Sequence, residues 1–295
     1  MDAWKKSAED FMQFRELEWV NFLKNNSPKS KNILVGIGDD CALVKAGRQK
    51  LLLKSDLFIE GIHFKRKSMS FKSLGMRAVA RVLSDFAACG GVPKFIGVSA
   101  GFPDYIDKKN LKKILSGIIE YSRKYKFSLV GGDTSRAKEL FLDIWGVGEA
   151  RKFISRSTAK VGDYIFLSGK LGQRKFNAPF SPRVKESQEL TRNFKINAMI
   201  DISDGFIIDL YRIIEASKKG TVIYQDKIPS KNGERDFYRG EDYELIFTVD
   251  SKEKNLNFLE KKFYLIGRVK PESFGYKLRR KTGLFDVKIK GYSHF

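Results

Sequence analysis

The sequence predicts a mixed α/β (α+β) protein built from two consecutive units, and three observations carry that prediction. Apolar residues at helical spacing alternate along the chain with short apolar runs that stop at glycine or acid. The pattern breaks at a polar, basic stretch, 149–162, and then resumes, which places the units at 1–150 and 151–295. Of 295 residues, 42% are hydrophobic and 25 are glycine, so the chain can bury a sizeable core and is neither disordered nor collagenous.

The elements follow in order. Phe11, Phe14, Leu17, Phe22 and Leu23 lie near helical spacing and predict an amphipathic opening helix over the first 23 residues. After the polar stretch 25–31, the runs 33–37, 51–53 and 57–64 read as strands ending in loops. Leu74, Ala78, Val82, Leu83 and Phe86 set a helical period over 73–89, and 95–102 is a strand. Leu111, Ile114, Leu115, Ile118 and Ile119 predict a helix over 111–125, followed by strands at 128–130 and 140–147. The second unit opens with a strand at 164–167 and a turn, Ser168-Gly169-Lys170-Leu171-Gly172. Residues 173–197, with Pro179 and Pro182, are the least structured part. Strand 199–202, helix 205–216, strands 221–224 and 244–249, helix 252–262 and strand 263–269 complete the unit.

Lys and Arg number 56 against 35 Asp and Glu, a formal net charge of +21. Such an excess favours polyanions, nucleic acid first among them. The lysines are nevertheless scattered over 68–72, 108–113, 170–175, 252–262 and 268–290, with no helix-turn-helix, zinc-finger or aromatic RNA-binding pattern around them. A solvated lysine-rich surface accounts for them as well. Two cysteines, Cys41 and Cys89, and two histidines, His63 and His294, exclude a disulfide framework and argue against a Cys/His zinc site. With no apolar run of roughly 18 residues and no signal-peptide pattern, a soluble, cytoplasmic protein is expected.

Chemistry is signalled by acids that end apolar strands beside glycine or serine: Gly38-Asp39-Asp40, Ser55-Asp56, Ser84-Asp85, Gly131-Gly132-Asp133, Asp201-Ile202-Ser203-Asp204-Gly205 and Gly240-Glu241-Asp242. A half-buried carboxylate is costly unless a cation neutralises it. Mg²⁺, an oxygen-seeking ion held by carboxylates together with substrate phosphates, does this well. The adjacent glycines let backbone N–H groups approach a phosphate. Any one of these pairs is equally a turn or a helix N-cap; six in one chain point to phosphoryl transfer. Gly97-Val98-Ser99-Ala100-Gly101 matches a nucleophile elbow, but Phe102-Pro103-Asp104 follows where a helix must start, and the only later histidine is His294. Neither a P-loop nor a Rossmann fingerprint occurs.

These motifs, with Cys41-Ala42-Leu43, Gly61-Ile62-His63-Phe64, Thr134-Ser135-Arg136, Tyr243-Glu244-Leu245 and the terminal Gly291-Tyr292-Ser293-His294-Phe295, resemble the thiamine-monophosphate kinase family, in order and over nearly the whole length. The resemblance implies the fold of the aminoimidazole-ribonucleotide synthetase superfamily: two α/β domains, N-terminal halves pairing in a homodimer, ATP in the cleft. It implies transfer of the ATP γ-phosphoryl group to thiamine monophosphate by direct in-line attack, with several Mg²⁺ ions and no protein nucleophile. Asp39, Asp40, Ser55, Asp56, Asp85, Asp133, Asp201 and Asp204 would serve the metals. Gly131, Gly132, Arg156 and Ser203 would serve ATP; His63, Tyr292, Glu241 and Asp242 would serve the thiamine phosphate.

Three departures stand out against that pattern. The segment after Gly172 is shortened, Lys54 stands where the family commonly has a small hydroxyl residue, and Arg239 replaces a glycine. Sister enzymes fit less well: a selenophosphate synthetase needs a reactive cysteine near its N-terminus, and hydrogenase-maturation relatives need a C-terminal one. A basic nucleic-acid-binding protein is the alternative from another class.

Overall fold

The computed structural model describes residues 16–176 and 178–291. Of the predicted opening helix, the part at 1–15 lies outside the described residues; α1 runs Glu16–Asn26.

Among the described residues the strands form two seven-stranded sheets. The first contains β1 (Ile33–Val35), β2 (Ala42–Ala46), β3 (Gln49–Ile59), β4 (Gly91–Phe102), β5 (Ser128–Gly131), β6 (Thr134–Arg136) and β7 (Phe141–Ala150), in the order β1-β2-β3-β7-β4-β5, with β6 also on β4. One face is covered by α2 (Phe71–Ala88), and α3 (Lys108–Tyr125) packs outside α2. Gly75 and Gly117 permit that helix contact: a Cβ on either would lie 2.1 Å from a backbone carbonyl oxygen of the facing helix.

The second sheet contains β8 (Tyr164–Leu167), β9 (Ile196–Asp201), β10 (Gly220–Tyr224), β11 (Leu245–Val249), β12 (Tyr264–Lys270), β13 (Tyr276–Arg280) and β14 (Gly283–Asp286), in the order β14-β13-β10-β12-β8-β11-β9. With α4 (Val184–Asn193), α5 (Phe206–Ala216) and α6 (Leu256–Lys262) it completes the mixed α/β fold. α5 places Phe206, Ile207, Leu210, Ile213 and Ile214 inward at helical spacing against Ile200, Ile223 and Ile246. The larger apolar cluster is continuous across residue 150: Leu83 and Phe86 of α2 belong to it together with Phe166, Leu190, Met199 and Phe247. Each such buried side chain contributes about 1.5–3 kcal/mol relative to exposure.

Two expectations are corrected. The runs 51–53 and 57–64 are not separate strands, because β3 continues through Lys54-Ser55-Asp56. Lys54 and Asp56 share a face and find counter-charges on α2, so neither breaks the strand. Residues 173–197 are not wholly irregular either. Val184, Ser187 and Leu190 are the buried positions of α4, a sparse stripe that composition hides among polar neighbours. Ser187 Oγ donates to Ala87 O at 2.6 Å and Gln188 Nε2 to Gly90 O at 2.9 Å, tying α4 to the end of α2.

Candidate functional site

The site is built on the facing surfaces of β3 and α2. Ser70 caps the helix, its Oγ accepting from Ser73 N–H at 3.1 Å. From there Arg77, Arg81 and Asp85 follow at intervals of four, which puts them on one stripe. Alternate residues of a strand repeat at about the distance that residues four apart repeat on a helix. The two elements therefore match charge for charge. Lys54 Nζ lies 3.1 Å from Asp85 Oδ2, and Arg81 binds Asp56 through two bonds of 2.9 and 3.2 Å. Burial works against the Asp56 charge, but Arg81, and after it Lys54, hold its carboxyl below the usual range. Burial likewise opposes the Lys54 ammonium and is outweighed by Asp85 and Asp56, so it stays protonated.

Three carboxylates from three distant segments converge beside this ladder. Asp40 follows the turn at Gly38, Asp85 stands near the end of α2 and Asp201 ends β9; one oxygen of each lies within 4.8 Å of the others. All three are buried. Burial, then the neighbouring Asp40 charge, raises Asp201 to about 7 despite a 2.5 Å bond donated by Ser84 Oγ. Burial also pushes Asp85 well above its ordinary value. Arg156 pairs with Asp40 Oδ1, while Asp40 Oδ2 is buried without a hydrogen-bond partner. Crowded, desolvated carboxylate oxygens with one orphaned buried oxygen are the donor set a hard divalent cation takes, so these residues fit Mg²⁺.

A cleft of about 320 Å³ opens beside the cluster and is lined from both halves of the chain. Lys54, Asp56, Arg81, Asp85, Ile62 and His63 line one side; Asp201, Ser203, Asp204, Arg239, Glu241 and Tyr243 line the other, with Phe176. His63 Nδ1 accepts from Ile59 N–H at 3.0 Å, which leaves the proton of a neutral imidazole on Nε2. The Ser203-Asp204-Gly205 turn is held by Asp209, whose Oδ2 accepts from the three backbone N–H groups at 3.0, 3.0 and 3.2 Å. Arg212 joins Asp204 and Asp209, at 2.6 Å each.

The facing loop is anchored from below. Arg77, at 0% exposure, donates to Glu241 Oε2 at 2.5 Å and to Ala178 O at 2.7 Å. Glu241 and Tyr243 adopt φ of 67° and 47°, conformations that cost non-glycine residues energy and that this anchoring sustains. Gly240 allows the loop to approach Ser203, whose carbonyl oxygen would meet a Cβ there at 2.4 Å.

The sequence-predicted residues thus separate. Asp40, Asp85 and Asp201 meet, and Asp56, Asp204, Ser203, His63 and Glu241 share the adjoining cleft. Asp39 sits next to them, accepting from Ser155 Oγ at 2.5 Å and lying near Arg156. Ser55 projects from the opposite face of β3 and donates to Asp143 at 2.6 Å, away from the carboxylates. Asp133 is exposed, accepting from Thr134 N–H at 2.8 Å, and with Gly131 and Gly132 lies outside the group of three and the cleft lining. Asp242 turns away from the cleft: it is buried against Gly172, whose N–H donates to it at 2.9 Å. Tyr292 lies outside the described residues. Sequence reasoning missed Arg77, Arg81, Tyr243 and Phe176. The interval of four from Arg77 through Arg81 to Asp85 was the available signal for the first two.

Residues 38–150 match the family model for AIR synthase related protein, N-terminal domain. The chain is 33% identical to the thiamine-monophosphate kinase of Buchnera aphidicola subsp. Acyrthosiphon pisum over 96% of its own length and 100% of the relative's. It is 35% identical to that of Buchnera aphidicola subsp. Schizaphis graminum with the same coverage of both. Among solved structures, AaThiL complexed with AMPPCP and TMP superposes with a TM-score of 0.83 at 28% identity, covering 95% of this chain and 97% of that one.

Proposed function

The chain belongs to the thiamine-monophosphate kinase family, and from that premise we propose that it transfers the ATP γ-phosphoryl group to thiamine monophosphate, giving thiamine diphosphate and ADP. The observation that carries the reading is the convergence of Asp40, Asp85 and Asp201 beside a cleft lined by both halves of the chain. The related structure with AMPPCP and TMP supports the two substrates.

In this reading Asp40, Asp85 and Asp201 would hold Mg²⁺, with Asp56 and Asp204 in the cleft beside them. Bound there, the ions would offset the charge of two phosphorylated substrates and of the transferring group. The protein's own residues position the reactants. Arg156 screens Asp40, and Arg212 fixes the Asp204 turn on which Ser203 sits. His63, presenting Nε2–H, and Arg239 supply donors for the acceptor phosphate. Glu241, held by Arg77, faces the cationic thiazolium ring. An oxygen of the acceptor phosphate attacks the γ-phosphorus while the bond to the β-phosphate oxygen breaks and ADP leaves. No protein nucleophile is used, and an ionised phosphate needs no strong base. Gly131, Gly132 and Asp133 are assigned to the nucleotide side, at the exposed end of the first sheet.

We further assign a homodimer to the face of that sheet opposite α2. Leu53, Val147 and Phe95 are paired across β3, β7 and β4, as are Ser55, Trp145 and Gly97, so they share one face. Leu53, Leu57 and Phe95 there are 38%, 47% and 48% exposed. A division after residue 150 and a cytoplasmic location complete the proposal; among the described residues no helix is long and apolar enough to cross a membrane. The test is incubation with ATP, thiamine monophosphate and Mg²⁺, following thiamine diphosphate by chromatography. Folded protein that forms none refutes the assignment.

A further inference from the structure

The carboxylate cluster does not stand alone in its cation demand, because a protein ammonium already reaches into it. Lys54 Nζ is 3.1 Å from Asp85 Oδ2, and Asp85 is the member of the cluster that touches both the ladder and the group of three. The lysine cannot readily withdraw. It lies inside an eleven-residue strand, paired opposite Gly146 on β7, and its register commits the side chain to the α2 face. The flanking Leu53 and Ser55 hold the opposite face. Asp40 carries Arg156 in the same way. Two of the three carboxylates that a divalent ion would seek, Asp85 and Asp40, are therefore already met by protein cations.

We propose that Lys54 is a resident counterion of the cluster: its ammonium competes with divalent metal for Asp85, so the site binds divalent ions more weakly than the same carboxylates would without it. A divalent ion approaching Asp85 must displace the ammonium or accept it as a neighbour, and either lowers affinity. In return, the site keeps one positive charge beside the cleft whatever the metal concentration, a charge available to an anionic substrate. The inference rests on the metal-cluster reading of the site but not on the identity of the phosphate acceptor.

The experiment is a Mn²⁺ titration of the full chain without nucleotide or thiamine phosphate, counting free Mn²⁺ by electron paramagnetic resonance. Lys54→Met keeps the stem and removes the charge; it is expected to bind Mn²⁺ at least tenfold more tightly than the parent. Lys54→Arg keeps the charge and is expected to stay within threefold of the parent. Affinity in Lys54→Met that is unchanged or weaker overturns the proposal, and so does equal tightening in both variants, because charge is then not the cause. If Lys54→Met does not fold, Lys54→Gln is read against the same criteria. Tightening as expected in a chain that makes no thiamine diphosphate would sink the kinase assignment and leave this one standing.

Discussion

Replacing Arg77 by Met removes a buried cation while keeping an unbranched side chain of similar length, so most of the apolar packing survives. What is lost is the 2.5 Å ion pair to Glu241 and the 2.7 Å bond to Ala178 O. The π contacts to Phe180 and Tyr243, whose rings stack at 4.1 Å beneath the guanidinium, lose their cation. Breaking a buried pair from one side costs about 3–5 kcal/mol because it strands the other charge. Arg81 Nη1 remains 3.4 Å from Glu241 Oε1, so Glu241 is only partly stranded and the lower end, about 3 kcal/mol, is expected. The assay is urea unfolding followed by tryptophan fluorescence for the parent, Arg77→Met, Glu241→Gln and the double variant. The double variant should be more stable than the sum of the single losses predicts by about 2 kcal/mol, since removing the second partner leaves no orphan. The KM for thiamine monophosphate should rise in Arg77→Met, because the 239–243 loop loses the anchor that holds Glu241 at φ 67°. A loss below about 1 kcal/mol, or strict additivity in the double variant, would refute the argument that this pair fastens the cleft.

Asp201→Asn should lose most of the rise in melting temperature that Mg²⁺ gives the parent at pH 8, yet be no less stable in EDTA. At that pH the parent carboxyl, at about 7, is ionised in a crowded site; equal Mg²⁺ stabilisation in both proteins would count against the cluster. Burial raises Asp242 from 3.8 to about 6, so the folded state holds its proton more tightly than the unfolded chain and stability is lost as pH rises through that window. At 1.36 kcal/mol per pH unit, the stability of Asp242→Asn relative to the parent should grow by about 3 kcal/mol between pH 3.5 and pH 7.5; a flat difference would refute it. Leu57→Lys, on the face of the first sheet opposite α2, should halve the mass measured by light scattering, and an unchanged mass would exclude that face as the pairing surface.

Much of the fold was legible because its signals are local. The helix over 73–89 and the strand over 95–102 are visible as period and run length; α2 begins two residues earlier and ends one earlier, and β4 begins four residues earlier. α4 was illegible because only three of its ten positions face inward, one of them a serine that bonds to a backbone carbonyl. β3 reads as two separate runs because a lysine and an aspartate look like an interruption until their partners on α2 are known. At the site, Asp40, Asp85 and Asp201 were each found as an acid ending an apolar run. Ser55 was found by the same rule and points the other way, because adjacent strand residues face opposite sides.

By itself the sequence determined the class of the fold, the order of its elements and the stock of strand-end carboxylates, since hydrophobic period and turn chemistry act between near neighbours. Only the tertiary structure decided which carboxylates crowd together and which are already neutralised. Arg81 takes Asp56, Lys54 takes Asp85, Arg156 takes Asp40 and Arg212 takes Asp204. The first two pairings depend on the register of β3 against β7 and on which stripe α2 presents; the other two join segments outside those elements. The energy of a charge is set by distance and burial, and neither is a property of position along the chain.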